Sequence, residues 1–208
     1  MKPLWMLGLS LWLASCTALA APINVAQGAA VTLNGTYGVL RVPDPSNWPQ
    51  NPVAAGATLT DGLFLPRATL WNDGSVWWDA FAPQDVSADN AIEIALGAVY
   101  MIAGFTVQAD DNDTYRIEYW NGASWITAWD IPAVGGFGDQ VRPDPDDESA
   151  IFALGSAITT DRLRFTATGG DGYYSVTEIK AFVPEPATLA LLGAALAGLG
   201  FSRRRKLN

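Results

Sequence analysis

Nitrogen bases and sulfur nucleophiles are nearly missing from this chain, which holds no histidine and a single cysteine, Cys16. Ser-His-Asp triads, Cys-His dyads, imidazole zinc sites and histidine proton shuttles all need a neutral nitrogen near pH 7, so each is excluded. The lone cysteine likewise excludes a disulfide within the chain. Oxygen ligands and aromatic surface remain, in the form of 21 acids and nine tryptophans. Carboxylates ligate hard cations, and an exposed indole stacks on the apolar C–H face of a sugar while polar neighbours take its hydroxyls. Two carboxylates can also hydrolyse a glycosidic bond, but no pair here is marked by its spacing as flanking a substrate. Phosphate-cradling loops and nucleophile elbows are missing too, so binding is expected rather than catalysis.

Two acidic runs are conspicuous. Asp110-Asp111-Asn112-Asp113 could hold a cation or bond sugar hydroxyls, but it lacks the glycine and distant glutamate of an EF-hand loop. Turn capping and solvation account for it better, and the same holds for Asp144, Asp146, Asp147 and Glu148. Seven tryptophans follow residue 20: Trp48, Trp71, Trp77, Trp78, Trp120, Trp125 and Trp129. Trp71 and Trp125 at least are expected to build the core.

The two ends carry transport signals. Residues 1–20 start at Lys2, run through Leu4, Trp5, Leu7, Leu9, Leu11, Trp12 and Leu13, and close on Ala18-Leu19-Ala20. That is the pattern of a secretory signal peptide cut by signal peptidase, with cleavage expected after Ala20. A competing site, Leu13-Ala14-Ser15-Cys16, resembles a lipobox and would leave a lipidated Cys16. At the other end Pro184-Glu185-Pro186 leads into an uncharged run, 187–201, followed by Arg203, Arg204, Arg205 and Lys206. The run is short of the ~20 residues of a comfortable membrane span, with basic charges where a stop-transfer segment keeps them. Residues 183–206 resemble the PEP-CTERM sorting signal of Gram-negative bacteria that make exopolysaccharide. The resemblance implies a transmembrane sorting helix in the inner membrane and processing by an exosortase near Pro184, Glu185 and Pro186. An exported protein destined for the cell surface or the extracellular space would follow.

Residues 21–182 are left as one expected ectodomain. From 22 to 182, twenty acids face seven bases, a formal charge of −13. Such a surface repels nucleic acid and anionic lipid and favours cations.

The elements that must position these groups follow from period and punctuation. Apolar residues alternate with period two over 100–108, 114–120, 123–129, 161–168 and 173–182, and no window keeps a long 3.6-residue period. The alternation puts Met101, Ala103, Phe105 and Val107 on one face, Tyr115, Ile117 and Tyr119 on another, and Leu163 and Phe165 inward. Earlier strands are expected at 31–33 and 37–42. Asn121-Gly122 suits a two-residue hairpin turn, which would set Ile117 opposite Ile126 and Glu118 opposite Trp125. Proline-rich loops at 43–52, around Trp48, and at 142–149 should lie on the surface. Short strands with Gly- and Pro-rich turns argue for an all-β antiparallel β-sandwich.

A second resemblance is spelled by Leu59-Thr60-Asp61-Gly62, the Trp-rich stretch 71–78, Ile92-Glu93-Ile94-Ala95-Leu96-Gly97, the strand into Gln108-Ala109-Asp110, residues 115–125, and Ser175-Val176-Thr177-Glu178-Ile179. In this order they resemble the discoidin, or F5/8 type C, galactose-binding-like domain over about 57–182, which implies a jelly-roll type of sandwich. It further implies a structural calcium ion held by backbone carbonyls with Asp61 and Glu178, and a carbohydrate or exopolysaccharide ligand. For the ligand the candidates are Trp77, Trp78, Tyr173 and Tyr174 as stacking surfaces, with Asp171 and Arg67 as polar partners.

Overall fold

The computed structural model describes residues 22–81 and 90–184; the leader, Glu185, Pro186, the apolar run and the arginine tail lie outside the described residues. Nine strands are formed among the described residues: β1 Ile23–Asn24, β2 Ala30–Asn34, β3 Val76–Asp79, β4 Ala91–Asp110, β5 Thr114–Trp120, β6 Trp125–Ile131, β7 Asp139–Arg142, β8 Phe152–Gly169 and β9 Tyr173–Val183. Every pairing between them is antiparallel. A short 3-10 turn, Gly56–Thr60, is the one helical element among the described residues, and no described helix is long and apolar enough to cross a membrane.

The long strand β4 serves two sets of partners. Its first half pairs with β2 on one side and with the second half of β8 on the other, and β8 continues the ladder to β5 and then β6. Its second half pairs with β9 and β7, while β9 also carries β1 and β3. Between these sets lies one apolar cluster that includes Leu59, Ile92, Ile94, Phe105, Val107, Tyr115, Ile117, Leu163, Phe165 and Ile179, each at most 1% exposed. Burial of this kind is the dominant stabilising term, at roughly 25 cal/mol per Å² of apolar surface.

Alternation holds where the ladder is regular and fails at its irregularities. On β5, Tyr115 and Ile117 face the core as expected, and on β8 so do Leu163 and Phe165. On β4, however, Met101 is 54% exposed and Ile102 fully buried, because the pairing with β8 shifts register between Ile102 and Gly104. A bulge of this sort exchanges the two faces of a strand. Residues 37–42 form no strand.

The β5–β6 hairpin differs from the two-residue expectation. Its loop is four residues long: the Asn121 amide donates to the Ser124 carbonyl, and the Asn121 side-chain oxygen accepts from the amides of Ala123 and Ser124. Tyr119 therefore pairs with Ile126 and Trp120 with Trp125, and a bulge after Ile117 sets that residue opposite Trp129. The local side-chain bonds of an asparagine outcompete the tighter turn.

Candidate functional site

A cavity of about 400 Å³ is lined by the 40–50 segment, with Arg41, Asp44, Asn47, Trp48 and Gln50 among its lining. Beneath it lies a second, small core of Leu40, Trp71, Trp77 and Tyr173, with Trp48 and Leu70 packed against it. Trp71 is central, with ring centroids 6.3 Å from Trp48, 5.4 Å from Trp77 and 5.3 Å from Tyr173. Ser75 caps the segment by donating its hydroxyl to the Trp71 carbonyl. Edge-on and tilted aromatic contacts of this type add to area burial and hold the rings in fixed orientations.

On that base sits a clamped guanidinium. Arg41 lies between the rings of Phe81 and Tyr173, at 4.6 Å and 4.4 Å from their centroids. The Asp79 side chain, fully buried, accepts from Arg41 Nε at 2.8 Å and from the Arg41 amide at 2.9 Å on one oxygen, and from the Phe81 amide at 2.9 Å on the other. One carboxylate thus positions both the cation and one of the rings that cover it. Burial opposes the charge of Arg41, but the hydrogen bond and charge of Asp79, helped by Tyr173 and Asp44, hold its pKa above the ordinary value.

Asp44 completes the wall. It accepts from the Ser46 hydroxyl at 2.6 Å, the Ser46 amide at 3.0 Å, the Trp48 amide at 2.9 Å and the Tyr173 hydroxyl at 2.9 Å. The Ser46 hydroxyl first, with these other donors, keeps Asp44 below the usual carboxylate range despite some desolvation. Tyr173 is pushed up, chiefly by burial. The arrangement offers a fixed guanidinium, a carboxylate, side-chain amides and a half-buried indole around one cavity, an inventory suited to hydroxyl-bearing ligands.

The residues expected at a sugar site are dispersed. Tyr173 lies behind two residues of the cavity lining, bonding Asp44 and stacking on Arg41, and Asp171 supports it by accepting from the Tyr173 amide at 2.9 Å. Trp77 and Trp78, expected to be exposed, are 0% and 3% exposed. β3 is covered on both faces, so the two adjacent indoles enter two different cores, Trp77 under Trp71 and Trp78 between Tyr37 and Tyr174. Tyr174 packs inward against Trp78 and Tyr115. Arg67 reaches the 142–149 loop, bonding the Pro145 carbonyl at 2.6 Å and Asp146 at 3.0 Å. Trp125, expected in the core, lies half-buried on the outer face, where Arg164 sits 4.8 Å above its ring. Arg41, Asp44, Asp79 and Phe81 were not marked by any local spacing; the proline-rich loop around Trp48 was the available signal.

Glu178 is fully buried, and neither carboxylate oxygen has a hydrogen-bond partner. Burial foremost, opposed by the charge of Lys180 and reinforced by that of Asp61, raises its pKa to about 8. Asp61 caps its own turn by accepting from the Leu63 amide at 2.8 Å, with Gly62 at a φ of 90°. Gln108 clips this turn to β4 through both main-chain groups of Leu65. No group of three or more acidic, histidine or cysteine side chains suited to a metal occurs among the described residues. An ion here would need main-chain carbonyls beside Glu178 and Asp61, which is common for calcium, and the orphaned Glu178 carboxylate fits such a role.

The acidic run 110–113 is not a solvated turn. Asp110, Asp111 and Asp113 are 5%, 3% and 0% exposed. Buried with them are Asp139 and Arg142, whose Nη2 donates to the Asp110 carbonyl. Asp144, Asp146, Asp147 and Glu148 do behave as turn residues: Asp144 accepts from the Asp146 amide and Asp147 from the Ser149 amide.

Solved structures of the same class of fold are discoidin-type, galactose-binding-like domains. A fucolectin from striped bass (Morone saxatilis) serum aligns with a TM-score of 0.50 and 10% identity, covering 77% of this chain and 48% of that one. The family 32 CBM from C. perfringens NanJ, solved with galactose, aligns at 0.49 with 11% identity, covering 78% and 98%. SpGH29 aligns at 0.48 with 15% identity over 79% of this chain, which spans only 28% of that protein's length. At such identities the likeness concerns the fold.

Residues 182–206 match the PEP-CTERM protein-sorting motif, which begins within the last two residues of β9. No curated protein matches the chain.

Proposed function

We propose that this is an exported protein, processed by an exosortase at its PEP-CTERM motif, whose β-sandwich binds carbohydrate or exopolysaccharide at the cell surface or in the extracellular matrix without catalysis. The sorting motif supports export through a membrane-anchored intermediate, in which Pro184, Glu185 and Pro186 are recognised and the arginine tail stays on the cytoplasmic side. The ligand reading is carried by one observation: Arg41, clamped between Phe81 and Tyr173 by the buried Asp79, stands beside Asp44 and Trp48 at the mouth of one cavity. Donors and acceptors held rigidly before the ligand arrives lower the entropy cost of binding. Glu178 and Asp61 would hold a structural calcium ion that neutralises the buried carboxylate; its part is to stiffen the Asp61-Gly62 turn, with none in ligand chemistry.

The test is glycan-array binding of the purified full-length protein and its Arg41→Ala and Trp48→Ala variants. Binding that both variants abolish supports the reading. Uniformly silent arrays favour a structural matrix or envelope protein with no sugar site, a reading helped by the four hydrogen bonds that Asp44 already accepts within the protein.

A further inference from the structure

The 169–173 turn that carries Tyr173 rests on a buried carboxyl group. Asp113, fully buried, accepts from the Asp171 amide at 3.2 Å on one oxygen and from the Tyr115 hydroxyl at 3.3 Å on the other. Gly170 lies so close that a Cβ there would come within 1.6 Å of the Asp113 carboxyl. Asp171 in turn accepts from the Tyr173 amide at 2.9 Å and from Asn112 at 3.1 Å. Tyr173 then bonds Asp44 and covers Arg41. Three consecutive contacts therefore link Asp113 to the cavity.

The charges around Asp113 do not balance. Asp110 faces it from β4, Asp171 from the turn and Tyr115 from β5, while Asp111 precedes it on its own loop and Asp139 and Arg142 belong to the same buried neighbourhood on β7. Among the described residues Arg142 is the one guanidinium buried with four carboxyl groups, Asp110, Asp111, Asp113 and Asp139. Its Nε and Nη1 lack partners, as do one oxygen of Asp111 and one of Asp139. A single cation cannot offset four ionised carboxylates in a medium of low dielectric.

We propose that Asp113 is a proton-operated latch on the candidate ligand cavity. With its carboxyl group neutral the 169–173 turn stays seated and Tyr173 holds its place against Arg41 and Asp44. On ionisation, repulsion from Asp110 and Asp171 lifts the turn, and Arg41 and Asp44 in the cavity lining lose the Tyr173 brace. Burial foremost, then the charges of Asp110 and Asp171, push Asp113 well above the ordinary carboxylate range, which places the change at neutral to alkaline pH. The consequence for sugar binding rests on the carbohydrate reading; the movement of the turn does not.

Amide hydrogen exchange on the full-length protein, corrected for intrinsic rates, tests both parts. Between pH 6 and pH 9 protection of the Asp171 and Tyr173 amides should fall about tenfold, the effect of one unit of proton linkage, and by less than about twofold in Asp113→Asn. Flat protection in the native protein, or the same fall in Asp113→Asn, overturns the latch. Should Asp113→Asn not fold, Asp110→Asn removes a repelling charge and should move the midpoint of the fall to lower pH; an unmoved midpoint also overturns it. A pH-dependent fall in a protein that binds no glycan at either pH supports the latch and sinks the sugar reading.

Discussion

The Arg41 guanidinium and the Tyr173 ring face each other at 4.4 Å, with the hydroxyl of the same tyrosine bonded to Asp44. A loop before β3 and the first residue of β9 are thereby joined at the cavity, and the cation is held by Asp79 from below. The relationship makes Arg41 both a lining group of the cavity and a structural one.

Arg41→Ala should accordingly cost stability as well as binding. It leaves the fully buried Asp79 without its cation, a loss expected to destabilise the protein by about 3 kcal/mol in urea titration. Arg41→Lys should recover part of the stability but little binding, since an ammonium cannot present a planar fork between two rings. An Arg41→Ala protein as stable as the native one would show that Asp79 does not depend on this pair.

The tryptophans should separate by depth. Trp71→Ala and Trp77→Ala remove buried rings of the small core and should each cost about 3–5 kcal/mol. Trp48→Ala removes a half-buried ring at its margin and should cost clearly less while impairing binding. Thermal unfolding of the three variants beside their array profiles checks this; equal destabilisation by all three would refute the assignment of Trp48 to the cavity rim.

Glu178 makes stability depend on pH in a definite direction. Its folded pKa is raised from 4.5 to about 8, so the folded state retains a proton that the unfolded chain gives up. The contribution is fully present below the unfolded value and is lost as pH rises through about 8. Without calcium the melting temperature should drop between pH 5 and pH 9, and less so in Glu178→Gln. Calcium added at pH 9, after verified metal removal, should restore the native protein and leave Glu178→Gln unchanged. A melting temperature indifferent to calcium would sink the ion site.

Two glycines in positive-φ turns should respond differently to alanine. Gly170, at a φ of 147° and pressed against Asp113, has no room for a side chain, so Gly170→Ala should be strongly destabilising. Gly122, at a φ of 96° with open space around it, should cost only the backbone penalty of about 1 kcal/mol. Denaturation midpoints that coincide for the two variants would contradict the packing of the 169–173 turn on Asp113.

Much of the strand order was legible because alternation is a local property. β5 begins and ends where its pattern does, and the inward Leu163 and Phe165 of β8 follow from the same period. Where a bulge intervenes, residues on its two sides do not share the face that period two assigns them: Phe105 and Val107 are buried while Met101 is exposed, and Trp129 is buried while Trp125 lies on the other face. Of the expected ligand residues, Tyr173 contacts the cavity lining through Asp44 and Asp171 braces Tyr173, whereas Trp77 and Trp78 lie beneath the surface. Arg41, Asp44, Asp79 and Phe81 come from segments with no shared spacing, so only the folded chain brings them together.

By itself the sequence excluded histidine and disulfide chemistry, marked an antiparallel all-β chain through its period, and displayed a sorting motif that depends on contiguous residues alone. Tertiary structure alone decided which indoles meet solvent and which carboxyl groups are cut off from it. Period two assigns a side chain to a face of its own strand, but what covers that face comes from distant parts of the chain. Hence Trp77 and Asp113, which look like surface chemistry in the sequence, are both fully buried, while Arg41 stands at the opening.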